Sequence, residues 1–100
     1  MKLHMIRADK LDNYMETGQY TLLDIRTPSE FRQDSIPGAV NYPYSDFAKW
    51  SRKLNRNGRY LILCERGARS IEICRQLQEM GIYAASVTGG IQAYRREEQD

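Results

Sequence analysis

The chain has 100 residues, with 15 Lys plus Arg against 13 Asp plus Glu and a formal net charge of +2. That length suits a single domain over residues 1–100, and the near balance of charge excludes a strongly basic nucleic-acid binder or an acidic solvating tail. The longest apolar run, Tyr60 to Cys64, falls far short of the ~20 residues of a membrane span, and with Leu, Ile, Val and Phe numbering 20 a folded domain with a thin core is expected.

From Met1 to Arg7 there is no apolar stretch resembling a signal peptide, so the cytoplasm is the expected compartment. Met5 and Ile6 then form a short edge strand. Asp9 to Glu16 carries Leu11, Tyr14 and Met15 at helical spacing and stops at Gly18. Thr21 to Ile25 is a short apolar run of the length of a buried strand. Thr27, Pro28, Ser29 and Glu30 follow it as a capping box with Pro at the first helical position, so the chain turns directly into a short helix.

Ala39 to Tyr42 is the next strand. Between Ser45 and Asn55 the spacing of Phe47, Trp50 and Leu54 predicts a helix that ends before Gly58. Tyr60 to Leu63 is a buried strand, and Ser70 to Met80 an amphipathic helix with Ile71, Ile73, Cys74, Leu77 and Met80 on its apolar half. Gly81 stops that helix, Ala84 to Val87 makes the last strand, and a final helix begins after Gly89 and Gly90. The alternation predicts an α/β fold, a mainly parallel sheet of four or five short strands with helices on both faces. Ligands bind such sheets at the carboxyl ends of the strands, which directs attention to the loops after Ile25, Tyr42, Leu63 and Val87.

After Leu63 the sequence reads Cys64, Glu65, Arg66, Gly67, Ala68, Arg69, Ser70 and enters the helix. A cysteine between a strand end and a helix start sits where backbone N–H groups converge at the positive end of the helix dipole, a place that favours an anion on sulfur. Gly67 lets the loop curl so that consecutive N–H groups point inward, and Arg66 and Arg69 add positive charge. Cys64 is therefore the candidate nucleophile. The bland alternative is a small apolar residue that ends a buried strand.

Several blocks together carry a resemblance. Asp24-Ile25-Arg26 with Glu30-Phe31, Ile36-Pro37-Gly38-Ala39, the loop CERGARS, Gly81 and Gly89-Gly90 stand in the order and spacing of a single-domain rhodanese, over about Ile6 to Tyr94. The chain resembles this sulfurtransferase family. The resemblance implies that Cys64 takes the outer sulfur of a donor such as thiosulfate or a persulfide and holds it as a persulfide. A thiol or cyanide acceptor then removes it, and no cofactor is involved. The N–H groups of Glu65, Arg66, Gly67, Ala68 and Arg69 would cradle the anion, while Asp24 and Arg26 would support the site.

Phosphatases of the same fold have five residues between Cys and Arg. Four separate Cys64 from Arg69 here, a loop too tight for a phosphoryl group, so phosphatase activity is not expected. Asp34-Ser35 stands where the family commonly has Gly-His, and Tyr94 where a Trp often follows, which bears on subfamily and substrate more than on the reaction. Glu65 adds a negative charge to the loop that disfavours anionic donors, so thiosulfate is expected to be a poor surrogate for the natural one.

The remaining chemistry-bearing residues have simpler readings. Cys74, on the apolar half of its helix, is expected in the core, and His4 in solvent. Two cysteines with a lone imidazole do not suffice for a structural metal site. Lys49, Arg52, Lys53 and Arg56 form a basic stripe opposite Phe47, Trp50 and Leu54. It would suit an acidic protein sulfur carrier better than nucleic acid, since no aromatic is interleaved on it. The competing functional reading is a weakly active module of this fold that docks a partner.

Overall fold

A computed structural model describes residues 2–98. Its five strands are β1 (His4–Ile6), β2 (Thr21–Asp24), β3 (Val40–Asn41), β4 (Arg59–Leu63) and β5 (Tyr83–Val87), and all pair in parallel in the order β1-β5-β4-β2-β3. The helices are α1 (Leu11–Glu16), α2 (Pro28–Gln33), α3 (Phe47–Trp50), α4 (Ala68–Glu79) and α5 (Gly90–Glu98). Parallel strands need crossovers, and helices supply them, as the alternation of the sequence predicts. No helix among the described residues is long and apolar enough to cross a membrane.

Strand alternation divides the core in two. On β4, Leu61 and Leu63 face one side while Tyr60 and Ile62 face the other, the period of two that a pleated strand imposes. The first side is closed by Leu11 of α1 and by Ile91 and Tyr94 of α5. Trp50 of α3 and Ile73, Cys74 and Leu77 of α4 close the second. Both faces of the sheet are thus covered, so its central strands read as continuous apolar runs.

The capping box at α2 forms as the sequence predicts. Thr27 accepts the Glu30 N–H at 3.2 Å, and Glu30 accepts the Thr27 N–H at 3.1 Å. The Thr27 N–H, followed by the Thr27 hydroxyl and the charge of Arg26, holds the Glu30 carboxyl below its ordinary value against the opposing effect of burial.

Two expectations need correction. The helix predicted over Ser45 to Asn55 is only one α turn, α3, flanked by 3-10 turns over Tyr44–Asp46 and Ser51–Lys53. Trp50 Nε1 donates to the Pro43 carbonyl over 2.8 Å, and the Tyr60 hydroxyl holds the Asn55 N–H at 2.9 Å, so tertiary bonds tighten the segment at both ends. In addition, α4 begins at Ala68 rather than Ser70, because Gly67 takes the left-handed conformation that starts the helix two residues sooner.

Between β2 and β4 the connections leave in opposite directions, β2 running out to β3 and β4 to β5. The crevice at that reversal is where ligands of open α/β sheets bind. Into it project the loops that begin at Ile25 and Cys64.

Candidate active site

Cys64 directly follows β4 and shares with Ile62 the face that α4 covers, with 6% of its surface exposed. Gly67 N–H donates to Cys64 Sγ over 3.0 Å. That return of the chain onto the sulfur requires φ +102° at Gly67, the left-handed region that side chains disfavour.

The orientation of the other loop amides follows from what their carbonyls do. Ile91 N–H donates to the Cys64 carbonyl at 2.9 Å and Gln92 N–H to the Glu65 carbonyl at 3.2 Å, so both carbonyls point to α5. The peptides are trans, and a trans peptide aims its N–H opposite its C=O. The Glu65 and Arg66 N–H groups therefore face the side that carries the sulfur. Ala68 and Arg69 begin α4, where first-turn N–H groups have no intrahelical acceptor and the helix dipole is positive.

Behind the sulfur lie two buried hydroxyls. Cys64 Sγ lies 3.5 Å from Ser70 Oγ, and Ser70 Oγ–H donates to the Gly67 carbonyl at 3.0 Å. Ser86 of β5 stands 2.6 Å from Ser70. Since Ser70 spends its single proton on Gly67, Ser86 must be the donor in that pair.

Asp24 and Arg26 form a buried pair at the end of β2, with Arg26 Nη2 2.8 Å from Asp24 Oδ2. Arg26 also donates its backbone N–H to Asp24 Oδ1 at 3.0 Å and Nη2 to the Asp34 carbonyl at 2.6 Å. Its other guanidinium nitrogen, Nη1, lies 3.8 Å from Glu65 Oε1. Burial alone would lower the Arg26 value, but the hydrogen bonds and charge of Asp24, with Glu65 and Glu30 beyond it, hold it above the ordinary one. A cleft of about 260 Å³ opens beside the sulfur, bounded by the loops after β2, β3 and β4.

The sequence matches the model of the rhodanese-like domain over residues 7–97. This chain belongs to the rhodanese-like family. It is 32% identical to a putative sulfurtransferase of Bacillus subtilis, YtwF, over 76% of this chain and 74% of that protein. It is also 36% identical to a rhodanese-like/PpiC domain-containing protein 12 of Arabidopsis thaliana chloroplasts, covering 93% of this chain but spanning only 31% of that relative's length. Among solved structures, a rhodanese-related protein of Thermoplasma volcanium superposes with a TM-score of 0.84 at 33% identity, covering 94% of this chain and 92% of that one.

Within this rhodanese-like site the predicted residues separate. Cys64, Glu65, Arg69 and Arg26 line the cleft, and Asp24 lies fully buried behind Arg26. Arg69 lays its guanidinium 4.5 Å from the centre of the Tyr44 ring. Arg66 is exposed and lies outside the cleft lining, as does Ala68 at the first position of α4, so what these two bring to the loop is backbone. Sequence reasoning missed Tyr44, Ser86 and Gln92. Only Tyr44, in the loop after Tyr42, stood where the search pointed.

Cys74 is fully buried, and burial, followed by the nearness of Cys64, pushes its thiol up to about 12. Lys49 and Lys53 border a hollow with Trp50 and Asp46, whereas Arg52 and Arg56 border another beside Met80, whose carbonyl accepts from Arg56 at 2.5 Å. The two departures from the family pattern both carry contacts. Asp34 pairs with Arg95 of α5 at 2.6 Å, and the Tyr94 hydroxyl donates to Asp12 at 2.8 Å.

Proposed function

We propose that this rhodanese-like chain, working as one domain, is a sulfurtransferase whose nucleophile is Cys64. The observation that carries the reading is the Gly67 N–H at 3.0 Å from Cys64 Sγ, in a loop whose neighbouring carbonyls are both held away by α5. Fixed donors aimed at an atom that carries charge stabilise it without reorganising at the moment of reaction.

The Cys64 thiolate attacks the outer sulfur of the donor. One S–S bond forms as another breaks, and the donor's remainder leaves with the bonding pair, as sulfite from thiosulfate or as a thiolate from a persulfide. The sulfur rests on Cys64 as a persulfide anion, facing the loop amides. A thiol or cyanide acceptor then attacks that outer sulfur and returns the Cys64 thiolate, which divides one transfer into two displacements. No net oxidation occurs in either half. Lys49 and Lys53, next to the Pro43 wall of the cleft, are the part of the basic stripe suited to docking an acidic sulfur carrier.

Intact mass after exposure to thiosulfate or a small-molecule persulfide tests the reading, with Cys64→Ser alongside. A gain of one sulfur that requires Cys64 and is removed by cyanide supports it. Absence of any gain with both donors moves the chain to the docking-module reading.

A further inference from the structure

Two guanidiniums, Arg26 and Arg69, and two carboxylates, Glu30 and Glu65, line the cleft with Cys64. Asp24 behind Arg26 makes a third carboxylate. The buried cation is therefore already engaged on one side by Asp24 at 2.8 Å and approached on the other by Glu65 at 3.8 Å. Glu65 is also fixed in place, since Gln92 Nε2 donates to its Oε2 at 2.9 Å. A dianion entering here meets no guanidinium excess and a carboxylate positioned by two partners.

The rest of the wall is of another kind. Ile25, Pro28, Pro43 and the Tyr44 ring present carbon to the same cleft, and its 260 Å³ leave room beside the sulfur for an organic group. Apolar walls with a few fixed polar groups are the ordinary make-up of a site for an organic ligand.

We propose that Glu65 sets the donor class of this site, favouring a thiol persulfide with an uncharged organic group over the thiosulfate dianion; this rests on the sulfurtransferase reading above. In the transfer, Cys64 S⁻ attacks the outer sulfur of R–S–SH, a new S–S bond forms as the donor's S–S bond breaks, R–S⁻ leaves with the bonding pair, and the proton moves from the new Cys64 persulfide to that thiolate. The products are Cys64–S–S⁻ and R–SH, with charge and electrons balanced. Of these products only the Cys64 persulfide is charged, and its charge replaces that of the thiolate, whereas thiosulfate brings two further charges in and sulfite carries two out.

The test compares kcat/KM for thiosulfate with that for 2-mercaptoethanol persulfide, cyanide being the acceptor, in the unaltered chain, Glu65→Gln and Glu65→Asp. Gln keeps an oxygen for Gln92 while removing the charge. It is expected to raise the thiosulfate-to-persulfide ratio about tenfold, equivalent to about 1.4 kcal/mol. Asp, which keeps the charge, leaves the ratio within about twofold, and added salt shrinks the difference between the unaltered chain and Gln because it screens that charge. An unchanged ratio in Gln, or Asp moving it as far as Gln does, overturns the proposal. Should Cys64 gain sulfur from neither donor by intact mass, the proposal falls together with the sulfurtransferase reading; sulfur gained with an unmoved ratio sinks the donor preference alone.

Discussion

A Cβ on Gly90 would stand 2.5 Å from the Cys64 carbonyl oxygen. The first residue of α5 is thus in direct contact with the peptide that follows the candidate nucleophile, and the neighbouring Ile91 N–H uses that contact to turn the carbonyl away from the sulfur. Since the opposing atoms are backbone, nothing flexible can move aside, and the φ of +64° adds strain for any side chain. Gly90→Ala is expected to cost about 3 kcal/mol, from overpacking of about 1–3 and left-handed backbone of about 1–2. Urea unfolding measures the loss. Sulfur uptake of the surviving folded fraction should fall too, and a variant as stable and as active as the parent would refute the coupling.

Cys64 and Cys74 are expected to separate in chemical labelling. In the folded chain at mildly alkaline pH, iodoacetamide should modify Cys64 well before Cys74, whose thiol is fully buried and pushed up to about 12. Peptide mass mapping reads the sites, and in urea the difference should vanish. Cys74→Ala should lose about 1 kcal/mol for the removed sulfur while keeping transfer. Transfer that survives Cys64→Ala but not Cys74→Ala would mean that the wrong cysteine has been assigned.

Most of the fold was legible because burial writes itself into periodicity. The runs around Leu22, Leu61 and Ala85 marked the central strands, and Ile73, Cys74 and Leu77 marked α4. Less legible was the stretch from Tyr44 to Lys53, where the apolar spacing correctly puts Trp50 inward but tertiary bonds from Pro43 and Tyr60 override a continuous helix. The loop from Cys64 to Arg69 stood out through residue types that do chemistry. Ser86 and Gln92 did not, since a serine in a strand and a glutamine in a helix carry no local signal and reach the site only through parallel pairing and the Gly89-Gly90 turn.

Breaking the pair at the end of β2 should be among the most damaging polar changes. Asp24→Asn leaves the Arg26 guanidinium, 7% exposed, with Glu65 at 3.8 Å as the remaining carboxylate within ion-pair distance. Removing one partner of a buried ion pair costs about 3–5 kcal/mol, and that range is expected here in urea unfolding. A loss under about 1 kcal/mol would show that the pair is solvated in solution.

The capping box of α2 predicts a pH dependence. The folded state holds Glu30 below its ordinary value, chiefly through the Thr27 N–H, so this group adds stability at neutral pH that disappears as pH falls through the lowered value. Thr27→Ala keeps that N–H but removes the hydroxyl's bonds to the Glu30 carboxylate and N–H, and should cost about 1 kcal/mol at pH 7. At strongly acidic pH, with Glu30 protonated in both chains, the gap between variant and parent should narrow without closing, because the bond from Glu30 N–H to the Thr27 hydroxyl is independent of that charge. A gap that widens on acidification would contradict the sign.

The two serines behind the sulfur should behave unequally. Ser86 donates to Ser70 and both are fully buried, whereas Ser70 donates onward to the Gly67 carbonyl and keeps that bond whatever happens to Ser86. Ser70→Ala therefore strands the Ser86 hydroxyl in the core, at about 1–3 kcal/mol, while Ser86→Ala removes a donor and leaves Ser70 engaged. The double variant should be no worse than Ser70→Ala alone, a coupling of about 1 kcal/mol in a double-mutant cycle. Strict additivity would mean that each hydroxyl finds another partner. Sulfur loading gives an independent readout, since Ser70 also contacts Cys64 Sγ and Ser86 acts on the sulfur only through Ser70. Loading should slow in Ser70→Ala more than in Ser86→Ala, and the reverse order would remove Ser70 from the sulfur's surroundings.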